Sequence, residues 1–276
     1  MILLILMTGI IAGLLSGLLG IGGGVIIVPV LIYCYQAHAL FPPDQIMHFA
    51  VGTSLAAMIL TTAGSLFSHV KHNHYTEIAL PFFWWLMPGL WIGAWSGNFL
   101  NSLASLEVLK IVLILIIMIM AFRLLCSPHL FFRSATEAES AKSSSRSFSS
   151  PVFLSIGIGV GTMSSLVGIG GGLFLWPILA YMRLRPIEVS AATSIGTFGS
   201  VCMGTIGSIY FGWGMMSDNE WVTGYVYWPW ALLIGITGMM CAPIGVWLSR
   251  RLPVSAIKKL FALILVLIAA RIGFNL

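Results

Sequence analysis

The residues of this chain best suited to chemistry are two glycine runs, because each places bare backbone amides inside an apolar stretch. The sequence GIGGG occurs at Gly20–Gly24 and again at Gly168–Gly172. Glycine has no side chain, so a ligand can approach its N–H closely. A helix that begins at such a run also offers the unbonded amides and partial positive charge of its first turn, which attract anions. The alternative is that the glycines only let helices pack closely.

Each glycine run is followed, in the next apolar segment, by a pair of hydroxyl side chains. Thr53-Ser54 follows the first run and Thr193-Ser194 follows the second. These hydroxyls could donate to an oxyanion without adding charge, or they could bond to a carbonyl one turn earlier in their own helix. The predicted substrate-binding residues are Gly22, Gly23, Gly24, Thr53, Ser54, Gly170, Gly171, Gly172, Thr193 and Ser194.

The composition requires lipid around the elements that carry these residues. Of the 276 residues, 59% are apolar and 8% are charged, whereas a soluble domain carries about 25% charged residues. The mean hydropathy is +1.02, and a soluble enzyme is therefore excluded. The net charge of +5 indicates loops that face anionic lipid rather than a nucleic-acid partner. The four cysteines show no CxxC spacing, which argues against a zinc site or a disulfide framework.

Ten apolar segments follow one another along the chain, and a polar stretch divides them into two halves. The stretch Arg133–Ser150 is rich in serine and charge and reads as a flexible linker. The segments lie at about 2–19, 25–40, 46–68, 78–100, 106–126, 151–167, 173–182, 187–212, 224–249 and 254–275.

The two halves are copies of one another. The segments 9–31 and 157–179 align without gaps at an offset of 148, with 12 of 23 positions identical. GIGGG and a later proline, Pro29 or Pro177, fall in register. Low complexity would produce matches between apolar residues, but not these. The chain therefore arose by internal duplication.

The basic residues indicate how the copies are oriented. The run from residue 2 to 39 would measure roughly 57 Å as one helix, nearly twice the hydrocarbon core, so the glycines must break it. If each broken run is a hairpin, 11 of the 13 Lys and Arg residues lie on one side and only Lys110 and Arg271 on the other. If each run is one long crossing, the split is 6 against 7. The positive-inside rule favours the hairpins, which makes the repeats inverted.

The predicted fold is an all-α polytopic membrane protein with two inverted repeats, each a glycine-broken helical hairpin plus three transmembrane helices. Repeat 1 covers residues 1–126, a cytoplasmic linker covers 127–150, and repeat 2 covers 151–276. Both termini are expected outside a multi-pass membrane protein. Inverted repeats bring the two broken segments together near the midplane, where transporters of this design bind their substrates.

The paired GIGGG-x4-P-x-L motifs, each followed by a helix with a Thr-Ser pair, resemble the TauE/SafE family of sulfite and organosulfonate exporters. The resemblance covers essentially the whole chain, and it implies an inner-membrane carrier of small sulfur-containing oxyanions. Because Gly23 and Gly171 correspond in the repeat, we expect a valine at either position to abolish transport with little loss of folded protein.

Other functions find less support in the residues. The sequence contains no HExxH, GxGD or GxSxG motif and no paired carboxylates in an apolar segment, which argues against an enzyme. No cofactor is expected. A channel, or a carrier for another small solute or a metal ion, is the alternative. The cluster of His69, His72 and His74 could be a metal site, a pH sensor or a solvated loop. The expected partners are a small anion and the bilayer, with a homodimer left open and no nucleic acid.

Overall fold

The structure, a computed structural model, describes residues 1–71, 79–126, 150–181, 186–215, 220–249 and 251. The described elements are nine helices and one two-stranded hairpin. They are α1 Ile2–Leu19, α2 Gly24–His38, α3 Ile46–Lys71, α4 Ala79–Leu103, α5 Leu106–Cys126, α6 Ser150–Val167, α7 Gly172–Tyr181, α8 Pro186–Phe211, β1 Val222–Thr223, β2 Val226–Tyr227 and α9 Trp228–Ser249.

The helices follow the predicted apolar segments and confirm an all-α membrane protein. Four helices are long and apolar enough to cross a membrane among the residues described, and α1 has the highest hydropathy of them. Large apolar side chains, among them Ile119 and Trp247, face outward, as lipid contact requires. The last predicted segment, 254–275, and almost all of the 127–150 linker lie outside the described residues.

Glycine backbone conformations end the first arm of each half. α1 stops at Gly20, which has a φ of 70° and donates its N–H to the Ser16 carbonyl over 2.7 Å. The matching Gly168 has a φ of 73° and bonds to Ser164 over 2.9 Å. Residues with a side chain rarely adopt this left-handed conformation, and glycine adopts it freely. The sequence therefore breaks each run where the repeat predicts it.

The chain reverses at the first glycine break. α1 runs parallel to α9, with Gly9 beside Ile234 and Gly17 beside Ala242. α9 in turn runs parallel to α3. After the break, Gly22 lies beside Thr62 in α3, and further on the Tyr35 hydroxyl donates to Thr53, two turns nearer the start of α3. α2 therefore returns along the direction from which α1 came.

The helices form two bundles of three, and each bundle takes helices from both halves of the chain. The first bundle is α1, α3 and α9, and the second is α6, α8 and α4, which are their counterparts in the repeat. In the second bundle, Gly89 faces Leu154 and Gly97 faces Thr162, so α4 and α6 run parallel as α9 and α1 do. Each half thus supplies one helix to the bundle of the other.

The bundles meet along α3 and α8, which run in opposite directions. Ser65 is hydrogen-bonded to Ser194 over 3.0 Å, while Leu55, earlier in α3, lies beside Gly204, later in α8. Met58 and Thr197 fall at the middle of their helices. These two residues therefore mark the centre of the protein along the direction of the helices.

Aromatic residues and the β-hairpin cover the end of the protein where α3 begins. Tyr35 stacks on Trp230 with ring centroids 4.9 Å apart, and Phe41 stacks on Phe49 at 3.9 Å. The Tyr227 N–H, in β2, donates to the Thr53 hydroxyl over 3.0 Å. This cover separates the middle of α3 from that end of the protein.

Candidate functional site

The two glycine loops, 20–23 and 168–171, meet at the middle of α3 and α8. A Cβ on Gly22 or on Gly170 would lie 3.1 Å from the Met58 sulfur in both cases, and within 3.2 Å of the Thr197 methyl group. Gly172, at the start of α7, is packed against the backbone of Gly20 in the other loop. The repeat thus brings its two helix breaks to one place at the centre of the protein.

Both loops leave backbone amides unbonded at the start of a helix. The Gly23 carbonyl accepts from the N–H of Ile26 and Ile27, and the Gly171 carbonyl accepts from those of Phe174 and Leu175. In the described part of the chain, the amides of Gly170–Leu173 and of Gly22–Val25 donate to no carbonyl. Unbonded amides at a helix start are the ordinary donors to a bound anion.

Two of the four carbonyls of the first loop, and the Leu19 carbonyl just before it, by contrast, already accept from hydroxyl side chains. Thr193 donates to the carbonyl of Leu19, and Thr197 to that of Gly20, each over 3.1 Å. From the other side, Thr61 donates to the carbonyl of Gly22, also over 3.1 Å. The helix break costs backbone hydrogen bonds, and these side chains replace them.

The predicted hydroxyls of Ser54, Thr193 and Ser194 are likewise bonded to backbone. Ser54 donates to the carbonyl of Gly168 over 2.7 Å, and Ser194 donates to that of Ser190 over 2.8 Å. A hydroxyl has one proton to donate, so in this arrangement Ser54 and Thr193 hold the loops and Ser194 bonds within α8, rather than facing an anion. Thr53 lies under the aromatic cover, where it accepts from Tyr35 and Tyr227.

The corresponding glycines Gly23 and Gly171 lie in different surroundings. Gly23 has a φ of 81°, and a Cβ there would come within 2.7 Å of the Ala12 Cα in α1. At Gly171 the nearest atoms, in Ser200 and Val160, would be 3.6 Å from a Cβ. The expectation that both tolerate a larger residue in the folded protein is wrong for Gly23, because α1 fills the space beside it.

Two residues that bond to the loops, Thr61 and Thr197, are not among those predicted from the sequence. A signal for them exists in the polar stripe of each buried helix, since Ser54, Thr61 and Ser65 recur at helical spacing along α3. In an apolar helix, a stripe of polar side chains indicates the face that contacts backbone or a ligand in the protein interior. The glycine run and the stripe together indicate which side of α3 faces the break.

The histidines also differ from expectation. His69 lies in α3 rather than in a solvated loop, is fully buried, and has its Nε2 3.4 Å from the Ser190 hydroxyl. His72 and His74 fall outside the described residues. Among the residues that are described, no three His, Cys, Asp or Glu side chains are grouped as metal ligands, and no Lys, Arg or carboxylate whose side-chain exposure is described is buried.

Comparisons with known proteins show which family the chain belongs to. The model of the family described as "Sulfite exporter TauE/SafE" matches residues 5–272. A "Probable membrane transporter protein" of Haemophilus influenzae is 33% identical over 97% of this chain and 96% of its own. Similar proteins of the same description in Bacillus subtilis and Methanocaldococcus jannaschii are 26% and 27% identical, over 99% and 95% of this chain and 97% and 91% of theirs. No solved structure matches. With the family model and a relative both spanning nearly its whole length, the chain belongs to the TauE/SafE family of membrane transporters.

Proposed function

We propose that this protein carries small sulfur-containing oxyanions, such as sulfite or organosulfonates, across the inner membrane, and that the anion binds where the two glycine loops meet. The observation that carries the proposal is the meeting of two sets of unbonded amides at the middle of α3 and α8. The family's description as a sulfite exporter supports the chemical class.

The electrostatics of the site favour an anion. The positive ends of the α2 and α7 dipoles meet there, and among the described residues no carboxylate is buried nearby to bind a cation. A low-dielectric interior strengthens such interactions relative to water. Export needs no coupling ion in this scheme, because the membrane potential drives an anion out of a negatively charged cell. The free energy gained is about 2.3 kcal/mol per charge for each 100 mV.

The purified protein is expected to gain thermal stability from sulfite or an organosulfonate and to move it into liposomes. Sodium, nickel and a simple alkylamine serve as cationic comparison ligands, because a helix N-terminus offers a cation no acceptor. A ligand present at 100 times its Kd raises the stability by about 2.7 kcal/mol, which a melting curve resolves. Stabilisation by a metal ion or an amine, with no response to any anion of the series, would contradict the proposal.

We further propose that the repeats are inverted, with the N-terminus outside. The opposite directions of α3 and α8, which correspond in the repeat, support this arrangement. Single cysteines at Ser105 and Lys71, both exposed, in a background without the native cysteines, are expected to react with an impermeant reagent from opposite sides. Ser105 should react in intact cells and Lys71 only after lysis. Reaction of both positions in intact cells, or of neither, would contradict the orientation.

A further inference from the structure

The two glycine loops are alike in sequence, but among the described residues only the second has buried side-chain hydroxyls without a partner beside it. Three fully buried serines, Ser164, Ser165 and Ser200, have hydroxyls with no hydrogen-bond partner among the residues that the structure describes. A buried hydroxyl without a partner costs free energy, so each one needs an explanation.

These serines adjoin the second loop from two sides. A Cβ on Gly171 would lie 3.6 Å from the Ser200 hydroxyl oxygen, which places Ser200 in α8 directly beside the loop. Gly204 lies one turn further along α8, beside Ser165 of α6. A Cβ on Gly204 would lie 3.0 Å from the Ser165 hydroxyl oxygen. Ser164 precedes Gly168 by one turn, and its carbonyl accepts the Gly168 amide.

The corresponding positions of the first half are occupied differently. At the offset of 148, Ser164 corresponds to Ser16, whose hydroxyl donates to the Thr61 carbonyl over 3.3 Å. The helices α3 and α8 correspond at an offset of 140 residues, and the two Thr-Ser pairs have the same offset. At this offset, Thr61 corresponds to Val201. Near the first break, the Ser16 and Thr61 hydroxyls thus bond to backbone of their own half. The second half has Val201 in place of Thr61 and so lacks the hydroxyl that bonds to the Gly22 carbonyl in the first half. The Ser164 hydroxyl has no partner among the described residues.

Space beside the loops differs in the same way. Ala12 lies against Gly23, whereas nothing comes closer than 3.6 Å to a Cβ on Gly171. Unbonded hydroxyls and room for a ligand thus coincide at the second loop. At the first loop, hydroxyl side chains already bond to backbone carbonyls, and Ala12 packs against Gly23.

We propose that the anion is held by the second loop alone, through the hydroxyls of Ser200, Ser165 and Ser164 and the amides that begin α7, while the first loop is structural. This assignment rests on the proposed function and narrows it. The site offers several uncharged donors from three elements, which suits the three oxygens of a sulfite or sulfonate group. Binding of the anion would supply the partner that each buried hydroxyl lacks.

The test compares Ser200→Ala with the parent protein, using sulfite and methanesulfonate as probes in a thermal-shift titration in detergent. Loss of one hydrogen bond to a charged ligand is expected to weaken affinity by on the order of tenfold to a hundredfold. The melting temperature without ligand should stay the same or rise, because no hydrogen bond within the protein is removed. Ser165→Ala should behave in the same way.

Thr205→Val is the matched control in α8, since its hydroxyl is already bonded to the Val201 carbonyl over 2.8 Å, and it should retain the parent affinity. Parent affinity in both Ser200→Ala and Ser165→Ala would overturn the assignment while leaving the proposed function intact. An equal loss in Thr205→Val would also overturn it. Failure of the parent protein to bind any probe would instead contradict the proposed function.

Discussion

Replacement of Gly171 by alanine is expected to weaken anion binding by at least about tenfold, or about 1.4 kcal/mol, while the folded protein keeps its stability. The backbone of Gly171 lies outside the left-handed region, so alanine fits it without strain. The new methyl group would make ordinary contacts at 3.6 Å with Ser200 and Val160. It would stand between the α7 amides and the Ser200 hydroxyl, in the space that the anion needs.

Gly23→Ala is the matched comparison, because the two positions correspond in the repeat. Here the expected result is lower stability, since alanine is strained at a φ of 81° and its Cβ would press on Ala12. Strain of this kind costs about 1–3 kcal/mol, and overpacking costs a similar amount. Melting temperature and sulfite affinity, measured for both variants, separate the two effects.

Two results would contradict this prediction. If Gly171→Ala binds sulfite as tightly as the parent protein, the space beside Gly171 is not the site. If Gly23→Ala melts at the parent temperature, the contact with Ala12 does not constrain the first loop.

The fold was largely accessible from the sequence because its determinants are local. The apolar segments set the helices by length and hydropathy, and GIGGG sets the breaks because Gly20 and Gly168 adopt a conformation that favours glycine. What the sequence did not reveal is that each bundle contains helices from both halves. That arrangement depends on contacts such as Gly13 with Gly238, which are 225 residues apart and leave no periodic signal.

The position of the two glycine loops could be predicted from the sequence, but their hydrogen bonds could not. The duplicated motif located both loops, and their meeting at Met58 and Thr197 follows the expected arrangement. The motif could not show which hydroxyls are already bonded, because that depends on which neighbouring residue faces each carbonyl. Thr61 and Val201 occupy corresponding positions and give the two loops different chemistry. Identity between repeats therefore does not imply that the two copies make the same hydrogen bonds.

The seam between α4 and α6 should be among the least tolerant parts of the protein, and Gly161→Ala is expected to destabilise it by about 1–3 kcal/mol through overpacking. A Cβ on Gly161 would collide with the Leu90 carbonyl oxygen and lie 2.9 Å from the Ala94 nitrogen. Both are backbone atoms, which cannot move aside as a flexible side chain can. Small residues allow this close approach of helices in lipid.

Gly159→Ala, in the same helix and two residues earlier, provides the control, since nothing lies within 4 Å of a Cβ there. Alanine at an open helical position is neutral or stabilises by up to about 1 kcal/mol relative to glycine. The measurement is the melting temperature of each variant in detergent, together with sulfite affinity. Equal melting temperatures would show that the seam is not tightly packed. The expected loss at Gly161 should extend to sulfite affinity, because α6 carries Ser164, Ser165 and the second glycine loop, and α4 from the other half holds α6 in place.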